Sequence, residues 1–176
     1  MRTRPARPWR SPRLLAAICG LVVLSGCGIG HMAFSADRRL TFHGPKAHTK
    51  VALPVTVSWS MRNFTLGGLT GSTKRDSGVF AVFVDRTPMP VGKDLRWVLR
   101  DDKGCRRDPR CPDQAYLAEQ DIYDTTDTSL TLDRLKSQPG MKVENHSVYV
   151  VLLDGTAHRI GESSWYLPFS TPGRNT

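Results

Sequence analysis

The chain lacks the short motifs that mark several common enzyme sites. None of its 176 residues forms a GxxxxGK phosphate loop, a GxSxG nucleophile elbow, an HExxH zinc motif or an SxxK motif. Its five histidines are scattered, so each is interpreted as a solvated or structural residue. We therefore expect no catalytic residues, no cofactor and no enzymatic activity. A hydrolase whose site assembles only in space is the remaining enzymatic alternative.

The apolar run near the start of the chain is too short to cross a bilayer. It extends from Leu14 to Leu24 and has eleven residues, whereas a membrane-spanning helix needs about 20. The first 26 residues contain five arginines and no acidic residue, and the small residues Ser25 and Gly26 follow the run. This layout is typical of a secretory signal peptide, which we predict for residues 1–26.

Strong basicity is confined to that leader. The whole chain has a formal net charge of +9, but residues 27–176 contain twenty basic and sixteen acidic residues, a net charge of +4. A charge of this size favours solubility or weak attraction to an anionic surface. Together with export, it argues against nucleic acid as a partner.

Cysteine is scarce, with four in the chain, of which Cys19 and Cys27 lie in or next to the leader. Cys105 and Cys111 remain as a pair, and an oxidising compartment favours a disulfide between them. Half of a metal site is the alternative, although no second cysteine pair or close histidine pair accompanies it.

Short apolar stretches separated by turn residues make up most of the remaining chain. We predict seven strands: Arg38–Phe42, Val51–Met61, Gly78–Asp85, Leu95–Arg100, Ser129–Leu132, Ser147–Asp154 and Trp165–Phe169. Pro54 indicates an edge strand or a bulge, and Pro168 suits an edge. Trp59 and Trp97 are assigned to the core. Of Trp165 and Tyr166, one must point inward and one outward.

Neither a long helical period nor an internal repeat interrupts these strands. The pattern indicates an all-β sandwich of about seven strands, because several short strands divided by turns must bury their apolar faces against a second sheet. The predicted organisation is a signal peptide at 1–26, a tether at 27–40, one domain at 41–171 and a tail at 172–176.

Residues 101–127 are the part least like a sandwich. A disulfide between the two cysteines would close a basic loop, and one or two helical turns over 112–119 would follow, with Asp113 as cap. Candidate ligand contacts are Arg106, Arg107, Arg110, Tyr116 and Tyr123. Arginine suits anionic partners because it binds phosphate or carboxylate through paired N–H groups. The alternative is a solvated loop whose arginines pair with Asp108, Asp113 or nearby acidic residues.

Three aspartates follow at a spacing of three: Asp121, Asp124 and Asp127. Calcium prefers such hard oxygen ligands, so these residues are a weak calcium candidate. Their spacing matches no known calcium loop, and aspartate is common in turns, so the main expectation is that no metal is bound.

Leu24-Ser25-Gly26-Cys27 resembles the lipobox of bacterial lipoproteins, and the plan of the whole chain resembles that of actinobacterial lipoproteins. The resemblance implies cleavage between Gly26 and Cys27 and lipidation of the Cys27 thiol. The mature chain would then be anchored to the extracytoplasmic face of the cell membrane. The alternative is an ordinary signal peptide that ends near a cysteine.

Three further stretches resemble the fibronectin type III or related immunoglobulin-like family. They are Val55–Trp59 with its core tryptophan, then Ser129–Leu132 with Leu135 and a core Tyr149, and last the closing hairpin at Asp154-Gly155. The resemblance implies that 101–127 is an insertion. We expect a non-enzymatic binding or scaffolding domain that meets an envelope protein or a cell-wall polymer through this insertion. A carbohydrate-binding module is the alternative.

Overall fold

The computed structural model describes residues 37–173. Its elements in chain order are β1 (Leu40–Gly44), β2 (Val55–Met61), β3 (Thr65–Leu66), β4 (Ser77–Val84), a 3₁₀ helix (Leu95–Leu99), α1 (Lys103–Arg107), α2 (Gln114–Glu119), β5 (Ile122–Thr125), β6 (Ser129–Leu132), β7 (Val143–Leu153) and β8 (Arg159–Pro172). The predicted signal peptide, Gly26 and Cys27 lie outside the described residues. β1 begins and β8 ends one residue beyond the predicted limits of 41–171.

The strands form two sheets. One has three antiparallel strands in the order β1-β2-β6. The other has five strands: β3, β4, β7 and β8 lie in that order, and β5 also pairs with β4. The expected all-β architecture with two sheets is confirmed. The sequence did not predict β5, which lies inside the segment interpreted as non-sandwich.

Residues before β2 protect the outer edge of β8. The amide of Val51 donates to the carbonyl of Ser170 over 2.8 Å, and the amide of Ser170 donates to the carbonyl of Thr49 over 2.9 Å. β8 is the last strand of its sheet, so Pro168 does lie on an edge strand as expected. The prediction from Pro54 was wrong, because β2 is the central strand of its sheet and Pro54 precedes its first residue.

The main core fills the space between the two sheets. Alternate residues of β2 point into it, with Val57 fully buried and Trp59 2% exposed. The Trp59 ring packs edge-on against Phe80 of the facing sheet, with ring centroids 5.5 Å apart. Leu135, which follows β6, is also buried in this core. The core assignment of Trp59 is therefore confirmed.

A second core lies on the outer face of the five-stranded sheet. Successive residues of β4 alternate between the two cores, so Phe80 belongs to the main core and Phe83 to the second. The connection over 85–121 covers this outer face with Met89, Leu95 and Leu117. The continuous apolar run of β4 is the pattern of a strand that is covered on both faces.

Three predictions failed in this region. Leu95–Leu99 is a 3₁₀ helix and not a strand, since the amide of Trp97 donates to the carbonyl of Asp94 over 3.0 Å. Leu95 and Leu99 are both buried, Leu95 within the second core. Trp97, predicted to lie in the core, is only partly buried and packs against the second core instead of lying within a core. Tyr149 faces the outer side of its sheet, because its neighbours Val148 and Val150 point into the main core. β8 behaves as expected, with Trp165 9% and Tyr166 51% exposed.

Candidate functional site

The disulfide loop is built on the second core. Asp102 begins α1, and its carboxylate accepts hydrogen bonds from the amides of Gly104 and Cys105 at 2.9 and 3.0 Å. This capping satisfies amides that the short helix leaves without partners. Cys105 is buried and is joined to Cys111 in a disulfide, with Cα atoms 5.4 Å apart. The segment between the two cysteines is therefore held at both ends.

The three predicted arginines lie on this loop and are exposed. Arg106 donates to the carbonyl of Arg100 over 3.2 Å. Arg110 is 89% exposed and lies 3.5 Å from the Asp108 carboxylate, a contact at which water screens most of the attraction. The alternative of paired arginines thus holds for Arg110 with Asp108 alone. Asp113 instead accepts the amide of Tyr116 as the cap of α2.

Further cations extend the same surface. Residues 96–110 contain six basic and three acidic side chains, a net charge of +3. The Arg100 guanidinium lies over the Trp97 ring, 3.8 Å from its centroid, which is a cation–π contact. Arg96 donates to the carbonyl of Pro109 over 3.4 Å. Because 95–100 was interpreted as a strand, Arg96 and Arg100 were not expected near the disulfide loop. They lie next to it because the connection over 85–121 folds back on itself.

Tyr116 is tied to the loop, and Tyr123 is not. The Tyr116 hydroxyl donates to the Asp102 carboxylate over 3.0 Å. The pKa of Asp102 is lowered by the amide of Cys105 and then by this hydroxyl, and burial together with the carboxylate raises the pKa of Tyr116. Tyr123 lies in β5 opposite Val82 and packs against the main core, where burial raises its pKa.

The three aspartates of the calcium candidate are not brought together. Asp121 forms an ion pair with Lys136, Asp124 lies within β5, and the amide of Asp127 donates to the Thr125 hydroxyl over 2.9 Å. Across residues 37–173, no three His, Cys, Asp or Glu side chains gather as metal ligands.

An aromatic pair lies on the outer face of β7 and β8. The rings of Tyr149 and Tyr166 are 4.8 Å apart and inclined by 35°, and Tyr166 is half exposed. A shallow groove of about 290 Å³ adjoins Tyr166 and is also lined by His48, Asn145 and Ser170. An exposed ring beside amide, imidazole and hydroxyl groups is an amphipathic surface. The sequence interpretation missed it because Tyr149 was assigned to the core.

A polar network is buried at one end of the main core. His146 contacts the Asp85 carboxylate over 2.6 Å and the Thr171 hydroxyl over 3.1 Å, and Ser137 donates to Glu144 over 2.9 Å. The order of Asp85, His146 and Thr171 has the connectivity of a catalytic triad. Thr171 is only 2% exposed, however, so a substrate in solution does not reach its hydroxyl. We interpret the network as structural.

A scan against protein-family models and searches of curated proteins and solved structures found no match for this chain. Across residues 37–173, no helix has the length and apolar character needed to span a membrane. Function must therefore be argued from the surfaces described above.

Proposed function

We propose that this chain is a membrane-anchored lipoprotein whose domain acts as a non-enzymatic binding or scaffolding module at the extracytoplasmic face of the cell membrane. The anchor is supported by the basic leader, the short apolar run and the lipobox-like Leu24-Ser25-Gly26-Cys27. Lipid chains on Cys27 would hold the mature protein at the membrane, because two or more such chains give a stable anchor.

The proposed domain type is a fibronectin type III-like sandwich. Immunoglobulin-type sandwiches place their first, second and fifth core strands in one sheet and their third, sixth and seventh in the other. Here β1, β2 and β6 share one sheet, and β4, β7 and β8 are neighbours in the other, which supports that assignment. On this proposal the connection over 85–121 is an elaboration of the family plan. Because such folds host many functions, the binding role rests on the surface.

The observation that carries the binding role is the basic surface of 96–110. It combines a net charge of +3 with a loop held by a disulfide, a helix cap and the second core. A held loop loses little conformational entropy on binding, which favours affinity. The partner on this proposal is an anionic component of the envelope, either an acidic protein surface or a wall polymer.

The non-enzymatic role is supported by the placement of the triad-like arrangement of Asp85, His146 and Thr171. A nucleophile must reach its substrate, and Thr171 lies inside the sandwich with His146, which is 3% exposed. A structural network that joins β4, β7 and β8 explains these residues without catalysis.

The anchor is tested by fractionation of cells that express the full chain or its Cys27→Ala variant. The full chain should sediment with membranes and carry a lipid label, whereas Cys27→Ala should stay unprocessed or be released. Cys19→Ala is the matched control, because it removes a leader cysteine that lies before the proposed cleavage site. Unchanged processing and membrane retention of Cys27→Ala would exclude the lipoprotein assignment.

The basic surface is tested by co-sedimentation with purified cell wall across a salt series. Replacing Arg106, Arg107 and Arg110 by Ala should weaken binding and reduce its salt dependence, because exposed charges act through a screened field. A control variant removes three exposed cations elsewhere, Arg38, Arg134 and Lys142. Equal loss in both variants would indicate unspecific attraction. Absence of wall binding, combined with cross-linking to an acidic membrane protein, would favour a protein partner.

A carbohydrate-binding module is the second candidate, and the Tyr149–Tyr166 pair favours it. Sugar rings present apolar C–H faces that pack on exposed aromatic rings, while neighbouring polar groups hold their hydroxyls. Wall binding that persists at high salt and is lost in Tyr166→Ala but kept in Tyr166→Phe would support this role. Retention in Tyr166→Ala would exclude it.

A further inference from the structure

A cleft lies next to the hairpin that joins β7 and β8, and none of its described lining residues belongs to the disulfide loop. Its volume is about 530 Å³. The hairpin, the start of β8, the chain at 91–92 and the loop at 73–75 supply its walls. The polar and glycine residues that matter here are Thr73, Arg75, Gly92, Thr156, His158 and Arg159.

Arg159 is a buried cation with only neutral partners. It is 8% exposed, and its guanidinium donates to the carbonyls of Met89, Glu162 and Ser163. Within residues 37–173, no carboxylate lies within ion-pair distance of it, and its Nε has no hydrogen-bond partner. The chain thus buries a charge and leaves one of its N–H groups unused.

Such an arrangement is costly without a counter-charge. Removing an ion from water is unfavourable unless an opposite charge compensates, and a buried N–H without a partner adds to the cost. The same burial lowers the pKa of Arg159, because it destabilises the charged form of the guanidinium. Because little water surrounds this charge, its field is weakly screened in the adjoining cleft.

The other charges of the cleft leave it positive. Arg75 is exposed, and no hydrogen bond or ion pair joins its side chain to another residue of 37–173. Asp154 is the one acidic residue among the described lining residues. Its Oδ1 accepts from the amide and hydroxyl of Thr156 and from the amide of His158 at 2.6 to 3.0 Å. Asp154 is therefore occupied with the hairpin and does not reach Arg159.

We propose that this cleft binds a phosphoryl group. Arg75 would close over the anion and bind two of its oxygens, the field of Arg159 would attract it, and the hydroxyl of Thr73 would donate to it. Gly92 and Gly161 line the same space, and their lack of side chains leaves room for a close approach. The Gly92 amide itself donates to the carbonyl of Arg159 over 3.0 Å.

The phosphoryl group has two possible sources, a soluble phosphate or a lipid headgroup. Ser163 links the cleft to the first described residue, because its carbonyl accepts from Arg159 and its hydroxyl donates to Asp37 over 2.9 Å. The ten residues 27–36 span at most about 35 Å, so a domain tethered at Cys27 would have headgroups within reach. The lipid source rests on the proposed membrane anchor, and the soluble source does not.

The test follows amide resonances of the full chain in neutral detergent during titration with inorganic phosphate. We expect saturable shifts of Thr73, Gly92 and Thr156, and an affinity about fivefold weaker in Arg75→Ala. The control is Lys74→Ala, which removes the adjacent exposed cation outside the cleft and should change affinity by less than about twofold. Arg159→Met adds a second measurement if thermal melting shows that it folds.

The second part of the experiment tests for binding to a lipid headgroup. The same chain is placed in nanodiscs of phosphatidylcholine alone and of phosphatidylcholine with phosphatidylglycerol. Shifts with free phosphate assign a soluble ligand, whereas shifts seen only with phosphatidylglycerol and lost in Arg75→Ala assign a headgroup. Absence of both, or equal weakening by Lys74→Ala, would overturn the proposal. The phosphate arm does not need the anchor, so its failure is distinguishable from failure of the lipoprotein assignment.

Discussion

The two hydrophobic cores of this domain share strands of the five-stranded sheet but are made in different ways. The main core lies between two sheets and is supplied by alternate residues of strands, such as Val57 and Trp59 of β2. The second core is covered by a connection of short helices and loops, through residues such as Met89 and Leu117. β4 contributes buried residues to both cores, so substitutions on its two faces can be compared within one strand.

The difference shows how a connection becomes part of the fold. A surface loop needs no apolar partners, but the connection over 85–121 inserts buried side chains against the outer face of the sheet. The basic loop at 106–110 is consequently mounted on a packed layer. The four predictions below test this comparison, from the largest expected effect to the smallest.

Phe80 and Phe83 are the matched pair for the first prediction. Both are 0% exposed and both lie on β4, on opposite faces. Each Phe→Ala change should lower the free energy of unfolding by about 3–5 kcal/mol, because it removes a buried ring and leaves a cavity. Chemical denaturation measures the loss. Hydrogen exchange should show faster exchange across both sheets for Phe80→Ala and mainly over 85–121 for Phe83→Ala.

A uniform exchange pattern in both variants would contradict the division into two cores. Leu66→Ala is a suitable control, because Leu66 is 37% exposed and its removal creates no cavity. Its effect on stability should stay within about 0.5 kcal/mol.

The polar end of the main core is the second target. His146→Ala should lower the free energy of unfolding by about 3 kcal/mol, because it leaves a cavity and removes the buried partner of Asp85 and Thr171. Thermal and urea unfolding measure this effect. In His43→Ala, which alters an exposed histidine bonded to Ser60, the change should be small. Equal losses of unfolding free energy in the two variants would mean that the buried network does not stabilise the fold.

The disulfide should stabilise the second layer more than the main core. Replacing Cys105 and Cys111 by Ser should cost about 2 kcal/mol at most, because the bond closes a short loop in the unfolded chain. We expect faster exchange over 96–112 and unchanged protection in β2. Peptide mapping without reductant should recover the two cysteines linked, and two free thiols in native protein would contradict the bond.

The smallest effect concerns Asp37 at the edge of the main core. Its carboxylate binds Arg39, which holds its pKa at about 2 instead of 3.8, and its carbonyl accepts the indole N–H of Trp165 over 2.8 Å. Because the folded pKa lies below the unfolded one, this stabilisation is complete above about pH 4 and is lost as the pH falls toward 2.

Partial exposure of Asp37 and Arg39 limits this contribution to about 1 kcal/mol. Asp37→Asn should therefore lower Tm slightly at pH 6 and flatten the dependence of Tm on pH between 4 and 2. Arg38→Ala, which changes the neighbouring exposed arginine, is the control. An unchanged pH dependence in Asp37→Asn would contradict the lowered pKa.

Strands with clear alternation were predictable from local sequence. β2 and β6 were placed within a few residues, and Asp154-Gly155 marked the hairpin between β7 and β8. Leu95–Leu99 was misassigned, because five residues with apolar positions at both spacings satisfy a strand and a helical turn equally well. Packing against the second core decided between them.

The candidate sites were predictable only where neighbours in sequence are neighbours in space. Arg106, Arg107 and Arg110 share a loop and could be found by reading along the chain. The cleft at Arg159 joins segments about 70 residues apart along the chain, as its bond to Met89 illustrates, and no local pattern marks it. Tyr149 was missed for a related reason, since only strand register determines which face a residue joins.

By itself the sequence determined the all-β class, the core role of Trp59, the cap at Asp113 and the turn at 154–155, because each depends on local periodicity or on the chemistry of a few adjacent residues. The tertiary structure decided that 85–121 forms a covering layer, that His146 is buried among acids and hydroxyls, and that Arg159 lies beneath a cleft. These features arise from contacts between distant segments, and such contacts are set by how the sheets and the connection fill space together.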